Sequence, residues 1–125
     1  MMSFRRLFKE RRGLYMKKIE IILLHIKEDC CDIQKFIKDA TKEQFLESAL
    51  IKKAVCMSLI NIGELVKSLP KNFCDANPQL PWRRIAGMRD IAAHKYKQLD
   101  MDAVWIVANE RIQEILDFIE DYQKN

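Results

Sequence analysis

The sequence predicts an all-α protein, an up-and-down bundle of four helices. Three observations carry that expectation. Apolar residues recur at three- and four-residue intervals through several long stretches, the period of a helix that lays one face on a core. Turn material is scarce, with three Gly and three Pro in 125 residues, which favours few and long elements. The turn formers Pro70, Asn72, Asp75, Asn77 and Pro78 gather in one segment. A chain of this length holds one domain with one core of moderate size.

The first helix is expected over 17–40. Ile19, Ile22, Leu23, Ile26, Cys30, Ile33 and Ile37 form its apolar stripe, and His25 falls off that stripe onto the surface or a groove. Thr41, Lys42, Glu43 and Gln44 have the form of a capping box, in which the Thr41 hydroxyl accepts from the Gln44 amide while Gln44 reaches back. A second helix therefore starts near 42 and runs to 69, before Pro70. Val55, Leu59, Ile62, Val66 and Leu69 keep the four–three spacing of bundle packing. Gly63 within it lets another backbone approach closely, and Asn61 and Glu64 lie one turn apart beside it.

A loop is expected over 70–81, with Pro81 at the first position of a third helix. Trp82, Ile85, Met88 and Ala92 are its buried stripe, and Arg83, Arg84 and Arg89 occupy its remaining surface. Asp100 is placed to cap a fourth helix over 101–122, which buries Val104, Val107, Ala108, Ile112, Ile115, Leu116 and Ile119. Ahead of these elements, residues 1–15 carry Arg5, Arg6, Lys9, Arg11 and Arg12. This arm reads as a flexible basic extension, or as a start assigned upstream of Met16, rather than as a nucleic-acid-binding tail. It lacks the apolar run and cleavage site of a signal peptide.

Composition narrows the function. Half of the residues are hydrophobic (49%) and a third charged (32%), an ordinary soluble balance, and the net charge of +4 permits a polyanion partner without demanding one. No stretch approaches the roughly 20 apolar residues of a membrane helix. Cys30, Cys31, Cys56 and Cys74 form no Cys-x-x-Cys pair, and His25 and His94 do not stand at metal spacing from them. They are expected to be reduced thiols of a cytoplasmic protein, at least one of them in the core. Gly-rich phosphate loops and carboxylate clusters are missing from the sequence, so P-loop, kinase and nucleotidyltransferase chemistry has no support, and neither metal nor cofactor is expected.

The chemistry is concentrated in Met88-Arg89-Asp90-Ile91-Ala92-Ala93-His94-Lys95-Tyr96. Arginine holds a phosphate with a forked pair of donors. Histidine exchanges protons near neutrality. Tyrosine supplies a hydroxyl that donates, accepts or is modified. Together they suit cleavage of a phosphodiester without a metal, although the three residues alone also describe a solvated helix end.

The stretch resembles the signature of the HEPN superfamily, in particular the HepT-like ribonuclease toxins of HepT/MntA toxin–antitoxin pairs: Arg89, four residues, His94, Lys95, Tyr96. Pro81-Trp82-Arg83-Arg84-Ile85-Ala86-Gly87-Met88-Arg89 is similar to the family's lead-in, Asn61-Ile62-Gly63-Glu64 to an upstream segment, and Leu99-Asp100 through Val104-Trp105 to a downstream one. The resemblance implies a HEPN-type bundle over 16–125. It also implies a metal-independent endoribonuclease with Arg89 and His94 as catalytic residues. Glu64 and Asn61 would then be polar groups turned to the site, with Glu64 a buried acid that pairs with Arg89 or orients His94. Arg83 and Arg84 would contact the RNA backbone. Asp90 departs from the Asn common in the family; it either orients Arg89 or weakens anion binding.

Geometry adds a constraint. Arg89 and His94 are five positions apart, so on a straight helix they project about 140° from each other. Either the helix ends or distorts between them, or a second subunit completes the site; the resemblance implies a homodimer that brings two motifs together across a cleft. It further implies an MntA-like nucleotidyltransferase antitoxin that transfers AMP to Tyr96. The alternatives are a non-catalytic nucleotide- or RNA-binding module and a purely structural helical partner protein.

Overall fold

The computed structural model describes residues 3–94 and 96–124, the side chains of Phe8 and Ile91 excepted. Lys95 of the motif and Met1 and Met2 of the basic arm lie outside the described residues. The described residues are all-α. Helix α1 spans Phe4–Ile37, α2 Lys42–Glu47, α3 Ala49–Lys67, α4 Lys71–Ala76 and α5 Trp82–His94. A 3-10 turn, Tyr96–Gln98, leads to α6 at Met101–Ile106, a π-helical segment at Val107–Arg111, and α7 at Ile112–Lys124. Four of these units are long: α1, α3, α5 and the run from α6 to α7. Helix α1 packs on α3 and α7, while α5 lies mainly along α3.

The stripe predicted for the first helix is buried in full, from Ile19 through Ile37, with Cys30 and Ile33 completely enclosed. The helix itself begins earlier than 17. Ser3 accepts from the Arg6 amide at 3.2 Å and starts it at Phe4. Residues 4–18 thus continue α1 beyond the bundle, their described side chains exposed, with Tyr15 Oη donating to Asn72 Oδ1 at 2.7 Å. Enclosure pushes the Cys30 thiol up to about 12. At pH 8 an alkylating reagent is therefore expected to leave Cys30 unlabelled until the chain unfolds. Peptide mapping that finds Cys30 modified as fast as an exposed thiol would contradict its burial.

Two expectations are corrected after Ile37. The capping box at Thr41 and Gln44 is present, both of its bonds formed. The helix it starts stops at Glu47, not at 69, because Ser48 adopts an extended backbone and its hydroxyl accepts from the Ile51 amide at 3.1 Å, starting α3 afresh. A serine is a competent N-cap, and here local capping outweighs helical continuity. The break lets Phe45 turn fully inward, where it meets Trp105 with ring centroids 5.3 Å apart.

The expected loop over 70–81 contains α4. Its Phe73 is buried against Trp82, Phe118 and Tyr122, an aromatic cluster that supplies the packing free energy for a six-residue helix. Asn77 closes the turn by donating from Nδ2 to the Phe73 carbonyl at 2.8 Å, and the Trp82 indole donates to the Asn77 carbonyl at 2.7 Å. These bonds fix where α5 begins, one residue after Pro81. In the last helix Asp100 accepts from the amides of Asp102 and Ala103, as its position predicts. Val104, Ala108, Ile112, Ile115 and Ile119 are buried, Val107 and Leu116 half-buried, and Phe118 joins the core.

Candidate functional site

The site is built where α5 crosses α3. A Cβ added to Gly63 would stand 2.6 Å from Arg89 Cβ and 3.0 Å from the Arg89 backbone nitrogen. The two helices therefore touch backbone to backbone, and only hydrogen fits at position 63. That approach carries Arg89 across α3 to Glu64, with which its Nε forms an ion pair. The pair is one of proximity: Arg89 Nε is buried and its N–H is not aimed at an acceptor. Arg89 Nη1 donates to Asp90 Oδ1 at 3.1 Å, and Lys67 Nζ donates to the same oxygen at 3.2 Å. Hydrogen bonds from Lys67 first and Arg89 second hold the Asp90 carboxyl below its ordinary value.

Two cations and two carboxylates thus meet between the helices, and their charges balance. Arg89 is 34% exposed, and Glu64, at 51%, is an open surface acid. The expectation of a buried acid is corrected, whereas its pairing with Arg89 is found. Glu64 and Lys67 share a face because they lie three residues apart on one helix. Lys67 was missed from the sequence, although its place one turn beyond Glu64 was a signal that could have found it.

The other predicted residues are not drawn into this cluster. His94 is exposed at the last residue of α5, and no hydrogen bond or ion pair among the described residues joins it to Arg89, Asp90 or Glu64. Helix α5 runs from Trp82 through His94, so no helix end separates Arg89 from His94. Asn61 is exposed and lies near Asp29 of α1, whose carboxyl is raised chiefly by burial. Arg83 and Arg84 are exposed in the first turn of α5. Tyr96 is half-buried against the core rather than open to solvent. Desolvation, then the Cys56 thiol, raises its hydroxyl above the usual tyrosine range.

An apolar cavity of about 340 Å³, lined by Cys56, Leu59, Met88, Ala92 and Val104 among others, adjoins α5 but holds none of the predicted site residues. The candidate chemistry is therefore at the surface. No group of three or more metal-ligating side chains occurs among the described residues, and no described helix is long and apolar enough to cross a membrane.

Residues 26–122, which include every member of this cluster, match the family model described as Ribonuclease HepT-like. The chain belongs to the HepT-like ribonuclease family. An RNase candidate of Methanocaldococcus jannaschii is 38% identical over 111 residues, covering 86% of this chain and 92% of that protein. A Thermococcus cleftensis protein with the name Probable ribonuclease HepT is 33% identical over 101 residues, 78% of this chain and 92% of the relative. A longer M. jannaschii protein, named for a gamma-glutamylcyclotransferase joined to an RNase candidate, is 35% identical over 113 residues; the match spans 51% of its length. No solved structure matches the chain. The HepT-like match runs from the second half of α1 to α7 and leaves the first part of α1, with its basic start, outside it.

Proposed function

We propose that this HepT-like chain is a metal-independent endoribonuclease and the toxin of a HepT/MntA-type pair acting in the cytoplasm. The observation that carries the reading is Arg89-x4-His94-x-Tyr96, with Arg89 and the exposed His94 on α5 and Tyr96 in the turn that follows, in a chain of this family. His94 acts as base toward the ribose 2′-hydroxyl or as acid toward the leaving oxygen. Arg89 stabilises charge on the phosphate. Attack by the internal 2′-hydroxyl leaves a 2′,3′-cyclic phosphate and needs no external water. Asp90 and Glu64 orient Arg89, and Arg83 and Arg84 contact the RNA backbone; Asn61 stands farther off, toward α1.

The unbroken α5 supports a homodimeric site. With Arg89 and His94 about 140° apart on one helix, a second copy is the simplest way to bring an arginine and a histidine to one phosphate. Incubation of RNA with and without EDTA tests the chemistry: cleavage is expected to continue in EDTA and to stop in His94→Ala. Strict dependence on magnesium would sink the mechanism. The occupation of Arg89 by Glu64 and Asp90 favours a second reading, a non-catalytic RNA- or nucleotide-binding module, in which RNA binds and stays intact.

In the same proposal an MntA-like nucleotidyltransferase partner silences the chain by AMPylation of Tyr96. Bulk and negative charge placed there would repel RNA. Co-expression with such a partner and ATP is expected to raise the intact mass by one or more AMP units, mapped to Tyr96 and not to Tyr15 or Tyr122. A silenced complex with unmodified Tyr96 would instead indicate occlusion of the site.

A further inference from the structure

The geometry points to a two-cation oxyanion site formed by Lys67 of α3 and Arg89 of α5, with the Asp90 carboxylate occupying the position that a phosphate oxygen of RNA would take. Lys67 Nζ and Arg89 Nη1 come from different helices and converge on one atom, Asp90 Oδ1, at 3.2 and 3.1 Å. Two donors aimed at a single anionic oxygen are the arrangement by which proteins hold phosphate, and both donors here are charged. The oxygen between them belongs to an exposed side chain, so its displacement opens no cavity and breaks no core packing.

The placement rests on rigid structure. Gly63 sets the distance between α3 and α5, and Lys67 lies one turn beyond it on the same helix. Lys67 and Arg89 are each partly exposed, at 41% and 34%, so a ligand in solution can reach both. A phosphodiester brings one negative charge and two unesterified oxygens. It can replace Asp90 on the two donors and leave Arg89 Nε to Glu64. Lys67 is then a second phosphate-binding residue, and Asp90 an internal placeholder that an incoming strand must displace.

This inference rests on the reading that Arg89 meets an RNA phosphate, and it is tested by binding rather than by cleavage. The probe is a single-stranded 2′-deoxy oligonucleotide, which lacks the attacking hydroxyl, titrated into the full chain over a range of salt concentrations. Each phosphate contact on a single strand contributes about 0.7 to the slope of log affinity against log salt. Lys67→Gln is expected to lower that slope by about 0.7, and Asp90→Asn to tighten binding several-fold. The double variant is expected to lose the gain. A slope unchanged in Lys67→Gln, or a gain kept in the double variant, would overturn the site. Should Asp90→Asn disturb folding, the slope of Lys67→Gln alone decides. RNA cleavage by the parent with an unchanged Lys67→Gln slope overturns this inference and leaves the ribonuclease reading intact. The expected slope change in a chain that cleaves no RNA supports the site and rejects that reading.

Discussion

In His94→Ala, RNA cleavage is expected to fall by about 10²–10⁴-fold, the usual contribution of a positioned acid–base group, with no change in melting temperature. His94 is exposed at the end of α5, where a side chain contributes little to packing. Loss of activity without loss of stability therefore isolates a chemical role. Arg89→Lys is expected to be severely impaired as well. Lysine keeps the charge and the Cβ that lies over Gly63, but it offers a point charge where a planar guanidinium donates to Asp90 from Nη1 and sets Nε beside Glu64. Gel analysis of RNA digestion, paired with thermal melts of each variant, reads both effects. If both variants cleave like the parent, the chemistry resides elsewhere on the chain.

Gly63→Ala is expected to cost about 1–3 kcal/mol of stability, the range for forcing an extra methyl into a packed contact, and to depress cleavage with it. The added Cβ would meet Arg89 Cβ and backbone nitrogen, and the Ala86 carbonyl at 3.3 Å. None of these is a flexible side-chain end that can swing aside. Helix α5 must therefore move off α3, carrying Arg89 away from Glu64 and Lys67. Gly87 provides the control within the same site, because a Cβ there meets nothing within 4 Å. Gly87→Ala is expected to be neutral or to stabilise by up to about 1 kcal/mol through helix propensity. Urea unfolding of the two variants side by side distinguishes close approach from a general intolerance of alanine. Equal effects at the two positions would refute the backbone contact.

Local periodicity and capping chemistry are readable along the chain. The buried stripe from Ile19 to Ile37, the capping box at Thr41, the Asp100 cap and the Trp82, Ile85, Ala92 face of α5 all follow from residue spacing, and each lies where that spacing puts it. The close approach at Gly63 was legible from a glycine inside an apolar helix, whereas the pairing of Glu64 with Arg89 was one of two roles that the family resemblance implied for that acid. Tertiary structure decided the rest. Whether Ser48 continues a helix or caps a new one depends on where Phe45 finds its partner Trp105, sixty positions away. The turn formers of 70–81 permit a loop, but Phe73 draws six of those residues into a helix by packing on Trp82, Phe118 and Tyr122. The role of Lys67 is of the same kind. On α3 it is one more surface lysine, and only the crossing of α5 places an aspartate between it and Arg89. Spacing along a chain reports which residues share a helix face; the distance between faces is set by packing of remote side chains, which no local pattern contains.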